Sequence, residues 1–258
     1  LKDKINHNNK FNTLSDTEVI LYYYDLYKDK CFKYFEGMWS IIIYDLNNEK
    51  IIVSRDRFGE KPLFVYKDKD EIIFSSQINY INAIIENSSK FNYQKINSFL
   101  HYGYKSLFKK NDTFFEKINH FEKGSILKLD KRGGIEKKKF WKLKINENLN
   151  KLSIQENEEL LKKLLIDAVD LRLVSDVPIA LNLSGGIDSG AICSISSKIL
   201  GKKLETFSII DKDKRYDESE YINATAKDCG VKTNLIKLNT DTDFLNLLHE
   251  SVNYNHYP

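Results

Sequence analysis

The segment 184–189 reads Ser-Gly-Gly-Ile-Asp-Ser and directly follows the apolar run 178–183. This order predicts a buried strand, a tight glycine turn and the start of a helix. Backbone N–H groups and the helix dipole bind anions at such a junction, and glycine leaves no Cβ in the way of a phosphate. The residues expected to hold phosphates are Ser184, Gly185, Gly186, Asp188 and Ser189.

Asp188 needs a separate explanation, because a carboxylate does not bind phosphate unaided. It either caps the following helix or holds a cation such as Mg²⁺ that bridges the phosphates. A purely structural alternative is a Gly-Gly turn that only starts a helix. We favour the binding loop, because strand, motif and helix occur in the required order. The loop lacks the Gly-Lys-Ser/Thr of a Walker loop, which argues against cleavage between the β- and γ-phosphates.

The second half of the chain must position this loop. Its pattern alternates between helices and strands, with helices expected at 154–173, 188–200, 217–229 and 241–252, and strands at 178–183, 204–210 and 233–238. Such alternation predicts a parallel sheet covered by helices on both faces.

The first half has a different pattern of secondary-structure signals. A helix is expected at 16–29, capped by Ser15 or Asp16, with Glu18 completing a capping box. Shorter elements follow: hairpins pairing 39–45 with 51–54, 64–66 with 72–75 and 126–129 with 135–141, and a short helix at 93–102. This half therefore predicts an antiparallel sheet with a few helices.

Composition and charge argue against several classes of protein. The 258 residues suffice for two domains, and 40 basic against 37 acidic side chains give no argument for a nucleic-acid or membrane partner. The three cysteines, Cys31, Cys193 and Cys229, form no C-x-x-C pair, which argues against a disulfide framework and favours a reducing cytoplasm. Cys193, on the helix after the loop, could respond to oxidants, although we favour a small buried hydrophobic side chain.

The motif of the second half resembles the pyrophosphate loop of ATP pyrophosphatases. The preceding segment, Leu173–Pro178, narrows the resemblance to asparagine synthetases that use glutamine. It implies that residues 154–258 form part of an α/β parallel-sheet ATP pyrophosphatase (PP-loop) domain, which makes an aspartyl-adenylate that ammonia then attacks. Backbone contacts to adenine and ribose would come from Asn182 and Ile209. Residues 215–219 resemble the family's helix start, where we favour Asp217 and Glu218 as helix N-terminal charges over a direct catalytic role.

The first half carries motifs of the same family, in segments 15–20, 35–39 and 55–63. The resemblance implies that residues 1–141 form part of an α+β N-terminal-nucleophile glutaminase-like sandwich. The polar, Asn/Lys-rich segment 142–153 is expected to be the linker. Asp16 would hold the α-amino group of glutamine. The segment 55–63 would build the glutamine pocket floor and the ammonia route, with structural roles for Arg55, Asp56, Gly59 and Lys61. A local salt bridge between Arg55 and Asp56 is an equal alternative.

Some features depart from the family. Its glutaminase uses an N-terminal cysteine as nucleophile. Leu1 stands at the start here, so we expect no catalytic residue in this chain, about 60–80 further residues upstream and a second glycine loop downstream. His256-Tyr257-Pro258 stands where the family often has Asp-Glu-Pro, and Gln77 replaces a common glutamate. An amidotransferase with another carboxylate acceptor, or a non-catalytic remnant that binds nucleotide or glutamine, therefore stays open.

The reaction implied by the resemblance is ATP-dependent amidation of aspartate with glutamine-derived ammonia. Its products are asparagine, glutamate, AMP and pyrophosphate. The expected small-molecule partners are glutamine, aspartate and ATP, with Mg²⁺ as the metal. The resemblance also admits a cytoplasmic homodimer.

Overall fold

The computed structural model describes residues 11–13, 15–86, 89–107, 109–237 and 244–255. They divide into two compact units, one comprising the residues up to Lys144 together with Ser251–Asn255, and the other running from Ile145 to Glu250. None of the helices in these ranges is long and apolar enough to cross a membrane. Leu1 and the segment 256–258, both named above, lie outside the described residues.

The first unit is built mainly of short strands. In chain order its elements are α1 (Asp16–Tyr27), β1 (Ser40–Asp45), β2 (Lys50–Arg55), β3 (Phe64–Lys67), β4 (Ile72–Ser75), α2 (Ile78–Ile84), α3 (Tyr93–Tyr102), β5 (Ile118–His120), β6 (Ser125–Asp130) and β7 (Ile135–Lys139). Single 3₁₀ segments cover Lys28–Lys33 and Gly103–Ser106.

These strands form two antiparallel sheets. One has the order β1-β2-β6-β7 and the other the order β4-β3-β5. The three predicted hairpins are confirmed as the pairs β1–β2, β3–β4 and β6–β7. The sequence patterns missed α2 and β5, because a three-residue strand and a seven-residue helix are too short to show a period.

Three apolar clusters hold the first unit together. The largest packs α1 and the following 3₁₀ segment against one face of the four-stranded sheet; its buried members are Val19, Tyr23, Cys31, Phe32, Phe35, Trp39, Ile43, Ile52 and Ile126. The opposite face buries Val53 against Leu63 and Phe121. A third cluster joins α2 to the three-stranded sheet through Ile78, Ile81 and Ile118. Strand alternation places these side chains on defined faces.

The start of α1 differs in part from the predicted capping box. Ser15 is the N-cap residue, and its Oγ accepts a hydrogen bond from the N–H of Thr17 at 3.2 Å. The Glu18 carboxylate reaches further back, where it accepts from the N–H groups of Asn12 and Thr13 at 2.8 and 2.7 Å. Asp16 is thus the first helical residue rather than the cap, and Glu18 fastens the incoming chain because two free N–H groups lie within its reach.

The second unit alternates helices with strands. Its elements are α4 (Ile154–Arg172), β8 (Ala180–Asn182), α5 (Ile187–Ser194), a π-helical turn (Ile195–Ile199), β9 (Glu205–Ile210), α6 (Ser219–Cys229), β10 (Lys232–Lys237) and α7 (Phe244–Asn255), of which the part up to Glu250 belongs to this unit. Residues Glu147–Lys151, inside the predicted linker, form a 3₁₀ segment. Position 238 of a predicted strand and positions 241–243 of a predicted helix lie outside the described residues.

The three strands form the predicted parallel sheet, in the order β10-β9-β8. One face is buried against α5 and α6 through the cluster of Leu183, Cys193, Ile222, Ala226 and Cys229. The opposite face carries Ile209 and Ile236, which are exposed. The prediction that both faces are covered is therefore wrong for the described residues, because the two packed helices lie on one side.

Candidate functional site

The loop 184–189 lies where β8 ends and α5 begins. Leu183, buried at 2% exposure, anchors the end of the strand, and its N–H donates to the carbonyl of Phe207 on β9 at 2.9 Å. α5 starts at Ile187. The strand, the two glycines and the helix thus follow one another as predicted, and the loop sits at the carboxyl edge of a parallel sheet, where ligands bind in folds of this class.

The two serines of the loop hold its shape. The N–H of Ser184 donates to Ser189 Oγ at 3.1 Å, and the two hydroxyl oxygens lie 2.9 Å apart. Ser189 Oγ also lies 3.0 Å from the carbonyl oxygen of Ser184 and 3.1 Å from that of Gly186. The hydroxyls therefore close the loop on itself.

Gly185 is in close contact with the start of α6. Its N–H donates to Glu218 Oε2 at 3.0 Å. A Cβ on Gly185 would lie 2.9 Å from the Cβ of Glu218 and 3.2 Å from that of Tyr221. Glycine is thus required here by close approach, and a carboxylate already occupies one of the amides predicted to bind phosphate.

The predicted helix cap at Asp188 is wrong. The N-cap residue is Gly186, in an extended conformation, and Asp188 lies in the first turn of α5 with an exposed side chain. The capping position falls two residues earlier because the chain turns at the glycines. The exposed carboxylate of Asp188 lies at the positive end of the helix dipole. Binding of a cation by Asp188 stays a prediction.

Asn182 and Ile209 lie on neighbouring strands near the loop. Asn182 is the last residue of β8 and pairs with Phe207, and Ile209 follows two residues later on β9. Because side chains alternate along a strand, both side chains point to the open face of the sheet. Ile209 is 65% exposed there. Their role in adenine and ribose contact stays a prediction.

The segment before α6 is held by short-range hydrogen bonds. Asp217 Oδ1 accepts from the N–H of Ser219 at 3.0 Å. The Arg215 guanidinium binds both carboxylate oxygens of Asp213 and lowers the pKa of that carboxyl. Asp217 therefore acts at the helix start, as interpreted from the sequence. Glu218 also contacts Gly185, which lies 33 residues away in the chain. The sequence pattern did not predict this contact, and its only signal was that the Gly-Gly and Asp-Glu motifs belong to the same family.

In the first unit, Asp16 is exposed on the first turn of α1. It is accessible to a ligand, and nothing in the packing of the helix requires a carboxylate at this position. Its assignment to the glutamine amino group stays a prediction.

The turn after β2 is organised by two buried side chains, Arg55 and Asp56. The Asp56 carboxylate accepts from five backbone N–H groups at 2.7–3.2 Å; the donors are Trp39, Phe58, Gly59, Glu60 and Lys61. Arg55 donates to three carbonyls at 2.7–2.9 Å; the acceptors are Gly59, Lys61 and Phe121. Both residues therefore bind peptide groups of the turn, as a structural role requires.

Gly59 and Lys61 serve this turn through their backbones. Gly59 has φ +73°, and a Cβ there would lie 3.1 Å from the Arg55 guanidinium carbon. The Lys61 carbonyl also accepts from Ser40 Oγ at 3.3 Å, while the Lys61 side chain is exposed. The turn thus needs glycine at 59 and only the main chain at 61.

Comparison with known proteins follows the same division. Residues 1–141 match the family of the glutamine amidotransferase domain, and residues 160–255 match the asparagine synthase family. The first match covers more than half of the chain. The chain belongs to the glutamine-hydrolysing asparagine synthetase family.

Relatives in this family span both units. A putative glutamine-hydrolysing asparagine synthetase of Methanocaldococcus jannaschii is 37% identical over 86% of this chain and 42% of its own length. Asparagine synthetase 2 of Bacillus subtilis is 33% identical over 86% of this chain and 30% of its own. A Penicillium rubens protein named amidase chyE is 26% identical over 93% and 37%. The chain therefore spans less than half the length of these relatives.

Proposed function

We propose that this chain belongs to an enzyme that transfers glutamine nitrogen to aspartate, with consumption of ATP. Aspartate would be activated as its adenylate, and ammonia would displace AMP to give asparagine. The observation that supports this most strongly is the loop 184–189, a strand–Gly-Gly–helix junction at the edge of a parallel sheet, in a chain of this family. The loop binds the pyrophosphate part of ATP rather than a γ-phosphate alone.

The second unit is proposed to be an ATP pyrophosphatase domain of the PP-loop type. Its phosphate contacts are the N–H groups and hydroxyls of the loop, contributed by Ser184, Gly185, Gly186 and Ser189. Fixed N–H groups at a helix start stabilise charge that develops on departing pyrophosphate without reorganising. The main chain of Asn182 and Ile209 holds the nucleoside at the same edge of the sheet.

Mg²⁺ fits the donor chemistry of this loop. Mg²⁺ prefers oxygen ligands and is usually held by one or two carboxylates together with substrate phosphates. Asp188 supplies an exposed carboxylate on the first turn of α5, and the described residues contain no cluster of three or more His, Cys, Asp or Glu side chains that could hold a metal by themselves. Bound there, the ion would neutralise phosphate charge.

The first unit is proposed to be part of a glutaminase of the N-terminal-nucleophile class. Asp16 accepts the α-amino group of glutamine, since its carboxylate is exposed and a charge-assisted hydrogen bond is stronger than a neutral one. The turn held by Arg55 and Asp56 supports the pocket floor. Enzymes of this class use an N-terminal cysteine as nucleophile, and the chain spans less than half the length of its relatives, so the activity is proposed for the whole protein.

The decisive experiment measures nucleotide products of the intact enzyme that contains this chain. AMP and pyrophosphate should form in equal amounts, and only when aspartate and either glutamine or ammonia are present. Ammonia should replace glutamine, because the two half-reactions occupy different units. Formation of ADP, or of AMP without asparagine, would contradict the proposal.

A second candidate is an amidotransferase with another carboxylate acceptor. It is favoured by the relative named as an amidase and by the departures at Gln77 and 256–258. Screening carboxylate acceptors by pyrophosphate release separates the two, because aspartate would give no turnover in this case.

A non-catalytic remnant would bind ATP or glutamine and release no pyrophosphate with any acceptor. A cytoplasmic location and a homodimeric state stay predictions.

A further inference from the structure

The backbone N–H groups of residues 184–186 all donate to side chains of the protein itself. The N–H of Ser184 donates to Ser189 Oγ at 3.1 Å, and that of Gly186 donates to Ser184 Oγ at 3.3 Å. Between them, the N–H of Gly185 donates to Glu218 Oε2 at 3.0 Å. A hydroxyl can turn and donate to a bound phosphate, whereas an ionised carboxylate only accepts. Of these acceptors, only Glu218 must therefore give up its place to an anionic ligand.

Glu218 can leave this amide but cannot move far from the loop. It is the N-cap residue of α6, and its carbonyl accepts from the N–H of Ile222 at 3.0 Å. Ile222 is 1% exposed and belongs to the apolar cluster of the second unit. A Cβ on Gly185 would lie 2.9 Å from the Cβ of Glu218, so the two main chains are in close approach. A displaced carboxylate therefore stays within the length of one side chain of the loop.

This fixed negative charge changes which ligands the loop accepts. Two anions at such a short distance repel each other, and a divalent cation beside them is often the largest local charge and reverses this interaction. Mg²⁺ prefers oxygen ligands and is commonly held by one or two carboxylates together with phosphates. Asp188 supplies one exposed carboxylate on the first turn of α5, and Glu218 places a second one beside the same loop.

We propose that Glu218 makes the loop selective for a metal-complexed polyphosphate over the free anion. This inference rests on the proposed function, because it takes the pyrophosphate part of ATP as the ligand of the loop. In the absence of ligand, the Glu218 carboxylate occupies the N–H of Gly185. It gives way to a metal-free polyphosphate only at the cost of lasting repulsion, and to a magnesium complex at a smaller cost. Glu218 is thus a specificity-determining residue.

The test measures binding of inorganic pyrophosphate to the intact protein that contains this chain, by isothermal titration calorimetry in EDTA and in saturating MgCl₂. Magnesium should raise the affinity of the unsubstituted protein. In Glu218→Gln we expect this gain to be about fivefold to tenfold smaller, because metal-free pyrophosphate binds more tightly once the charge is removed. Formation of the magnesium–pyrophosphate complex in solution is the same for every variant, so it cancels from the comparison.

Two control variants separate the charge of Glu218 from other effects. Glu218→Asp keeps a carboxylate at the same position of the main chain, and it should retain most of the gain from magnesium. Glu220→Gln removes an exposed charge from the first turn of α6 and should leave the gain unchanged. The expected rise in metal-free affinity of Glu218→Gln is an increase in binding, which a misfolded protein would not show.

The outcomes distinguish this inference from the proposed function. An equal gain from magnesium in the unsubstituted protein and in Glu218→Gln would overturn the inference and leave the loop assignment intact. A gain that falls equally in Glu220→Gln would assign the effect to net charge, and one lost in Glu218→Asp would assign it to the hydrogen bond. Either result would also overturn the inference. Absence of pyrophosphate binding in both EDTA and MgCl₂ would contradict the proposed function itself.

Discussion

The carboxylate of Glu218 accepts a hydrogen bond from the backbone N–H of Gly185 at 3.0 Å. This contact places a negative charge on an amide of the candidate phosphate loop. The carboxylate therefore acts as an internal ligand, and a bound pyrophosphate must either displace it or share a cation with it. Coulomb repulsion between the two anions opposes binding at this amide.

Removing the Glu218 charge should strengthen anion binding. We expect Glu218→Gln and Glu218→Ala to bind inorganic pyrophosphate about fivefold to tenfold more tightly, because hydrogen bonds to charged groups contribute about 1.5–3 kcal/mol and part of this is regained. Isothermal titration calorimetry measures the change. Glu220→Gln removes an exposed charge in the first turn of the same helix and is the matched control. Equal gains in pyrophosphate affinity from substitutions at Glu218 and Glu220 would point to net charge rather than to the contact with Gly185.

Gly185 should tolerate no side chain, whereas Gly190 should. Gly185→Ala would push a Cβ to 2.9 Å from that of Glu218, so we expect pyrophosphate binding to be lost. Gly190→Ala brings its Cβ no closer than 3.8 Å to Thr225 in a helix interior, where alanine is favoured by about 0.5–1 kcal/mol. Thermal unfolding by circular dichroism should show Gly190→Ala unchanged or stabilised. Retained binding in Gly185→Ala would remove the loop from the proposed site.

Asp56 should be essential for the stability of the first unit. Asp56→Asn replaces Oδ2 by an amide donor that faces the N–H groups of both Trp39 and Lys61, and we expect a loss of about 2–4 kcal/mol in unfolding free energy. Urea unfolding followed by tryptophan fluorescence reports this unit, since Trp39 and Trp141 both lie in it. Asp70→Asn, at an exposed position, should change the value by less than about 0.5 kcal/mol.

The first unit should lose stability in mild acid because of His120. Burial, and secondarily the charges of Arg55 and Lys95, lower the pKa of His120 from 6.5 to about 4. The unfolded chain therefore binds the proton first, and stability present above pH 6.5 is lost as the pH falls towards 4. We expect a loss of about 1–2 kcal/mol, reduced from full linkage by solvent screening.

The control for this pH effect is a histidine on an exposed helix surface. His120→Gln should flatten the dependence of unfolding free energy on pH between 6.5 and 4, whereas His101→Gln should leave it unchanged, since His101 is exposed. Urea titrations at several pH values provide the measurement. A steep dependence that persists in His120→Gln would assign the effect to another group.

Local patterns predicted much of the fold. The hairpins follow from alternation on either side of polar turns, as in Ser40–Asp45 and Lys50–Arg55. The loop 184–189 follows from a strand ending in two glycines. Short elements such as Ile118–His120 were missed, because a single strand of this length is stabilised by its partner β3 rather than by its own sequence.

Tertiary contacts account for what the sequence could not predict. Glu18 was expected to cap its own helix and instead binds Asn12 and Thr13. Glu218 was interpreted as a helix N-terminal charge and also binds Gly185. In both cases the side chain had several donors within reach, and the path of the backbone decided between them.

The buried pair Arg55 and Asp56 has a consequence for mutational tolerance. Because these two side chains bind the peptide groups of the turn, the shape of the turn depends little on the side chains at Phe58 and Glu60. In a saturation library, these two positions should accept many residue types. Positions 55, 56 and 59 should accept very few. Three residues therefore determine the conformation of this turn, and its exposed positions remain free to vary.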